Sequence, residues 1–194
     1  MRQLIDPLVA RIRELAATRP GPIVVALDGR SGAGKSTLAP LVAAEVDGVV
    51  VGGDDFYAGG SGEMWDAMSA AQKADHVIDW RRQRPLLVGL RCGESIAYHP
   101  YDWDDADNDG TAPHLVHVEA APVIILDGVY SARPELADLV DLRVLLLIDD
   151  DVRRAQLLAR EGDTYRGGWE ARWTEAELHY FGTIMPPERF DLVV

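Results

Sequence analysis

A single cysteine, Cys92, stands among 194 residues, so no intrachain disulfide can form. With neither a Cys-x-x-Cys pair nor a Cys/His cluster, the chain offers no zinc site. Lysine is almost as scarce: Lys35 and Lys73 are the only two, and the other strongly basic side chains are arginines. Basic residues as a whole are outnumbered, 19 against 32 acidic, for a net charge of −13. Such a surface repels phosphate backbones and anionic lipid, which speaks against nucleic acid and membranes as partners. Long apolar runs are missing too, since no stretch approaches the roughly 20 apolar residues that cross a bilayer. Asp6, Pro7 and Glu14 interrupt the first apolar residues, so neither a signal peptide nor an anchor is expected, and a reducing, cytoplasmic setting fits.

What the chain does have is 47% apolar residues, enough at this length for one well-packed body over 1–194. Leu4, Leu8, Ile12 and Leu15 recur at helical spacing, and Arg19-Pro20-Gly21 closes that helix. Residues 23–27, 49–51, 123–126, 142–148 and 192–194 are apolar runs of strand length. Such strands, alternating with helical stretches, predict an α/β fold: a mostly parallel five-stranded sheet with helices on both faces. The stretch 65–90 reads as helical, broken at Pro85. Within 94–119, residues 95–98 and 115–118 alternate like half-exposed strands around a turn-rich segment, which predicts a small β-hairpin attached to the main sheet. Residues 153–181 read as a charged helical region interrupted near Gly162 to Gly168.

Gly29-Arg30-Ser31-Gly32-Ala33-Gly34-Lys35-Ser36 fits G-x-x-x-x-G-K-[ST] at every position, with a strand pattern before it and a helix pattern after it. Glycines let the backbone wrap so that successive N–H groups point at phosphate oxygens, and the helix N-terminus adds the positive end of its dipole. Gly29, Ser31, Gly32, Ala33, Gly34, Lys35, Ser36 and Thr37 are therefore the expected nucleotide contacts. Lys35 reaches the β- and γ-phosphates, and Ser36 binds Mg²⁺. That one of only two lysines falls where a compact point charge is wanted strengthens the match.

The other lysine narrows the class. A guanine-reading GTPase carries lysine in an Asn/Thr-Lys-x-Asp loop, whereas Lys73 sits in Ala-Gln-Lys-Ala. A motor-type ATPase follows its magnesium-side aspartate with an acid that activates water; here Asp127 is followed by Gly128-Val129-Tyr130. With ATP in the cradle, phosphoryl transfer asks for charge neutralisation and an aligned nucleophile. Asp127 ends a buried run at the edge where ligands gather, and is the expected second acid for Mg²⁺. Asp54 and Asp55 also follow a strand pattern. One of them faces the γ-phosphate and accepts the proton of an attacking hydroxyl, while the other orients a ligand or faces water.

Residues 29–37, Gly53-Asp54-Asp55-Phe56-Tyr57, Leu126-Asp127-Gly128, Arg153, Arg160 with Arg166-Gly167, and Phe190-Asp191-Leu192-Val193-Val194 together resemble the uridine kinase branch of the P-loop kinases. The resemblance, which runs from about residue 21 to the end, implies that the Asp-x-Phe-Tyr segment supplies the base, Asp54, with Tyr57 on the substrate side. It further implies an arginine-bearing lid, in which Arg160 and Arg166 close over ATP and screen developing charge. Asp75, Tyr101 and Asp102 are the expected acceptor-pocket residues. The implied activity is transfer of the ATP γ-phosphate to a hydroxyl of a nucleoside or similar small metabolite, and self-association is left open.

The likeness has gaps. Uridine kinases follow a Tyr-Asp-Phe segment with a histidine, but Tyr101-Asp102-Trp103 has Ala106 at that position; the Phe-Asp-His-Pro-Asp segment becomes Ala74-Asp75-His76-Val77-Ile78. Phosphoryl transfer to a hydroxyl survives these changes, and the acceptor stays unnamed. Two other uses of the same cradle remain: a nucleoside monophosphate kinase, which needs arginines around the acceptor rather than a base, and a module that binds ATP without chemistry. Asp105 to Gly110 matches half of a calcium loop, but Val116 stands where a bidentate Glu belongs, so a solvated acidic turn is expected. Trp169 and Trp173 fall on one helix face, which predicts core packing.

Overall fold

The computed structural model describes residues 2–104, 110–162 and 169–194. In chain order, α1 (Arg2–Thr18), β1 (Ile23–Asp28), α2 (Lys35–Glu45) and β2 (Gly48–Gly52) lead into three helices, α3 (Gly62–Asp66), α4 (Ala70–His76) and α5 (Trp80–Arg91). A hairpin of β3 (Ile96–Tyr98) and β4 (Val116–Val118) comes next. Then follow β5 (Val123–Asp127), β6 (Leu142–Leu145), α6 (Asp150–Glu161), α7 (Trp169–His179) and β7 (Leu192–Val193).

β1, β2, β5, β6 and β7 form the expected sheet, in the order β2-β5-β1-β6-β7, and every pairing in it is parallel. Because side chains alternate across a strand, each central strand feeds two cores. Val24, Ala26, Ile124 and Leu126 face a layer containing Trp65 of α3, Leu87 and Leu90 of α5 and Tyr180. Ile23, Val25, Leu27, Val123 and Ile125 face Leu8 and Ile12 of α1 and Leu38 and Val42 of α2. Each such fully buried aliphatic or aromatic side chain stabilises the fold by about 1.5–3 kcal/mol relative to exposure. Among the described residues no helix is long and apolar enough to cross a membrane.

Two local expectations need correction. The helical stretch 65–90 is not interrupted at Pro85, which lies inside α5; the breaks come earlier. Three capping residues decide this. Ser61 accepts from Met64 N, Ser69 and Gln72 close a capping box, and Asp79 accepts from Arg81 N, so three capped helices stand in place of one helical stretch with a break at Pro85. The hairpin pairs only with itself, as a separate two-stranded sheet, and reaches the main body by packing Tyr98 and Val118 into the Trp65 core. Asp149 caps α6 as an acid in that position should, accepting from the N–H groups of Asp151 and Val152.

The carboxyl ends of β1, β2, β5 and β6 share one edge. There the chain places the glycine-rich loop, the Asp54 turn, Asp127 and the start of α6. Ligands of open parallel sheets bind at such an edge.

Candidate active site

The loop after β1 has the backbone its sequence calls for. Gly32 and Gly34 take φ of +82° and +96°, conformations that side-chain-bearing residues avoid. A Cβ on Gly32 would come 2.5 Å from Leu157 Cγ, while one on Gly34 would meet nothing within 4 Å, so the loop keeps open space at the N-terminus of α2. No side chain caps that terminus. Lys35 is 7% exposed, and its Nζ donates to the carbonyl oxygens of Gly29 (2.7 Å) and Arg30 (3.1 Å). The lysine is thus folded over the glycine-rich loop, its ammonium group held by two of the loop's own carbonyl oxygens. A cavity of about 180 Å³ opens here, bordered by Ser31, Gly34, Lys35, Ser36, Thr37 and Arg160 among others.

Two glycines bring the acids together. Gly53 N donates to Asp127 O at 2.6 Å, and a Cβ on Gly53 would sit 2.8 Å from that same oxygen, so the backbones after β2 and β5 touch only because neither Gly53 nor Gly128 carries a side chain. Asp127 is 8% exposed, and its Oδ1 is buried with no hydrogen-bond partner on the protein. Burial raises its pKa, with the Ser36 hydroxyl and Lys35 opposing and Asp54 adding to the rise. An orphaned carboxylate oxygen beside a hydroxyl suits a divalent cation. Among the described residues no group of three or more His, Cys, Asp or Glu side chains is placed to hold an ion. A Mg²⁺ ion would therefore draw its remaining ligands from water and phosphate, as this ion commonly does.

Asp54 and Asp55 part company in the 3₁₀ turn Asp54–Phe56. Tyr98 Oη donates to Asp55 Oδ2 at 2.7 Å, and Tyr101 N donates to the Asp55 carbonyl, which ties Asp55 to the hairpin side. Asp54 opens to the cleft. The protein mass around the cleft raises its pKa, Lys35 and Arg160 pull it down, and the carboxylates of Asp55 and Glu177 push it up.

A second cavity, of about 160 Å³, adjoins the first. Tyr57, Trp65, Trp103 and Trp173 give it aromatic walls, and Val77 and Ile78 add apolar ones. The Tyr57 ring stacks on Trp103 (centroids 5.0 Å apart) and on Trp65 (5.9 Å) and meets Trp173 edge to face (6.0 Å). Arg172 stands on the border, paired with Asp66 at 2.8 Å. Ser31, Asp54, Val129 and Arg160 border both cavities, so Asp54 and Arg160 lie at the seam between phosphate cradle and aromatic box.

A model of the phosphoribulokinase / uridine kinase family matches residues 24–172. The chain belongs to that family. Among its relatives, uridine-cytidine kinase A of Dictyostelium discoideum is 30% identical over 182 residues, 89% of this chain and 34% of that protein. A uridine kinase of Limosilactobacillus reuteri is 29% identical over 146 residues, 72% of this chain and 65% of that protein. The chain therefore spans a third of the first relative and just under two thirds of the second. The fold recurs in a putative fructose transport system kinase from Silicibacter sp. TM1040 (TM-score 0.71, 22% identity, 96% of this chain and 98% of that one). It recurs also in a possible uridine kinase from Bacillus stearothermophilus (TM-score 0.64, 21% identity, 96% and 98%).

Within that frame, not every residue singled out from the sequence meets at the seam. Tyr57 lies on the aromatic cavity. Tyr101 meets Tyr57 edge to face (4.8 Å) without bordering the cavity, and Asp102 sits in the same loop, its Oδ1 accepting from Asp104 N. Asp75 is turned to Arg133, 3.2 Å away, and does not border the cavity. Arg166, Ala106, the acidic turn 105–109 and the Trp169 side chain lie outside the described residues. The sequence reading assigns no site role to Trp65, Trp103 or Arg172, and Trp173, expected in core packing, packs against the core and lines the cavity as well. A usable signal existed: the chain has five tryptophans, and three of them surround one cavity.

Proposed function

We propose that this chain transfers the γ-phosphate of MgATP to a hydroxyl of a small, ring-bearing metabolite, with a nucleoside the first acceptor to try. The observation that supports this is the seam: Asp54 and Arg160 border both the phosphate cradle and the aromatic cavity. An acceptor whose ring lies against Tyr57, Trp65 and Trp173 presents its hydroxyl beside Asp54. Asp54 takes the hydroxyl proton as the oxygen attacks the γ-phosphorus; the bond from that phosphorus to the β–γ bridging oxygen breaks, and ADP leaves. Lys35 and Arg160 neutralise charge gathering on the transferred phosphoryl group. Mg²⁺, when bound, supplies further neutralisation of the phosphate oxygens. Ser36 and Asp127 are the residues that would hold it or its water. Arg166 is the second lid arginine in this reading.

One observation favours a second reading. Arg160 and Arg172 both border the cavity, which is where a nucleoside monophosphate kinase needs cations. The two readings part at Asp54. ATP consumption is measured against nucleosides, sugars, vitamins and nucleoside monophosphates, for wild type and Asp54→Asn. Transfer to a hydroxyl compound, with turnover lost by about 10²–10⁴-fold in the variant and ATP binding kept, supports the proposal. Reaction of monophosphates alone, at unchanged rate in Asp54→Asn, moves the assignment to the second reading. Tight ATP binding with no acceptor across the panel would leave a nucleotide-sensing module.

A further inference from the structure

Ser31 is the loop residue common to both cavities, and its backbone is gripped from two sides. Its N–H donates to Glu177 Oε1 of α7 at 2.9 Å. Its carbonyl accepts from Arg153 Nη1 of α6 at 3.1 Å. The two gripping side chains are 3% and 2% exposed. Arg30 links them: its Nε donates to Glu177 Oε2 (3.1 Å) and its Nη1 to Asp150 Oδ1 (2.8 Å), the oxygen that also accepts from Arg153 Nε (2.8 Å).

A buried charge network of this kind contributes little net stability relative to well-packed apolar side chains, so register is the better account of what it does. α7 shows what is being registered. One turn before Glu177, Trp173 forms a wall of the aromatic cavity and meets Trp65 edge to face at 5.1 Å. One turn after it, Tyr180 Oη donates to Asp28 Oδ2 (2.9 Å) at the root of the loop. Positions 173, 177 and 180 share a helix face. α7 and the π-helical turn Tyr180–Ile184 that follows it thus form one bar, with the aromatic wall midway along α7 and the loop root just past its C-terminal end.

We propose that Glu177 is a positioning residue that locks α7, and with it the Trp173 wall, to the phosphate cradle, so that filling the cradle with ATP orders the aromatic cavity. This rests on the phosphotransferase reading, and it adds an order of events: nucleotide first, acceptor second. The carboxylate is required because it accepts two donors at once, an amide of the loop and the Arg30 guanidinium. Glu177→Gln keeps an acceptor for the Ser31 amide and loses the charged bond to Arg30. Glu177→Ala loses both.

The test is hydrogen–deuterium exchange on the full chain, with and without Mg²⁺ and the non-hydrolysable ATP analogue AMP-PNP, following residues 29–38 and α7. In wild type the analogue slows exchange in both segments, α7 by about tenfold, the scale of one charge-assisted hydrogen bond. E177Q reduces the α7 effect to about threefold and E177A abolishes it, while residues 29–38 remain protected in both. If E177A does not fold, E177Q alone decides: a weakened α7 response supports the coupling and an undiminished one overturns it. Protection of 29–38 with no α7 response in wild type, or equal α7 responses in all three proteins, also overturns it and leaves the phosphotransferase reading intact. Absence of protection at 29–38 in wild type removes both together.

Discussion

Asp54 is where charge and chemistry are most tightly linked. Its pKa lies above the ordinary carboxylate value near 4, because the surrounding protein disfavours the anion more than Lys35 and Arg160 favour it. In the proposed reading Asp54 is the base and must be ionised to act, so kcat/KM is expected to fall, as pH drops, at a higher pH than an unperturbed aspartate would give. Removing a favourable neighbour should push the same limb further up. Arg160→Met is therefore expected to raise the midpoint of the acid limb as well as lower turnover, and a pH–rate series on the two proteins checks both. An unmoved limb would show that Arg160 does not act on Asp54. The orphaned Oδ1 of Asp127 makes a separate expectation. Asp127→Asn should raise the half-saturating Mg²⁺ concentration by about 10–100-fold, read from a magnesium titration of activity at fixed ATP.

Between elements, the contact that matters is the touch of two loops. A Cβ at residue 53 would meet the Asp127 carbonyl oxygen at 2.8 Å and the Gly128 Cα at 3.3 Å, and neither backbone atom can swing aside as a side chain would. Gly53→Ala is expected to cost about 1–3 kcal/mol in urea unfolding, the range for overpacking. It should also lower turnover by about 10²-fold through a displaced Asp54, while leaving ATP affinity near wild type, because the cradle lies on another loop. The cradle was legible in the sequence because one continuous segment makes it: spacing dictates backbone shape, and backbone shape dictates what binds. The parallel sheet was legible for a related reason, since five apolar runs alternating with helices permit few arrangements. The aromatic cavity was not. Its walls come from the turn after β2, from α3, from the hairpin loop and from α7, so its residues lie up to 116 positions apart and meet only through the tertiary fold. The break expected at Pro85 is absent for a local reason: the caps at Ser61, Ser69 and Asp79 set where the helices begin, and Pro85 falls inside the last of them.

Across the whole molecule, one buried acid joins the parts that form the cradle. Asp28 is fully buried; its Oδ1 accepts from the N–H groups of Gly29 and Tyr130, and its Oδ2 accepts from Ala132 N and Tyr180 Oη. The loop root, the turn after β5 and the extension of α7 therefore hang on one carboxylate. Burial outweighs these donors and Lys35, and raises its pKa from 3.8 to about 6. The folded chain then holds a proton that the unfolded chain releases between about pH 6 and 4. The sign follows: this group's contribution to stability is largest below its unfolded pKa and is lost as pH rises through about 6, with an upper scale of about 3 kcal/mol. Asp28→Asn leaves four donors with fewer acceptors and should cost about 1–3 kcal/mol at pH 7. It also removes the titration. The stability gap between wild type and variant is thus expected to widen as pH falls from 7 to 4.5, read by urea unfolding at each pH, because the titration of every other acid is common to both proteins. A gap that narrows instead would mean that the four donors hold Asp28 ionised against its burial, and that the joint is an anion at every pH where the fold survives.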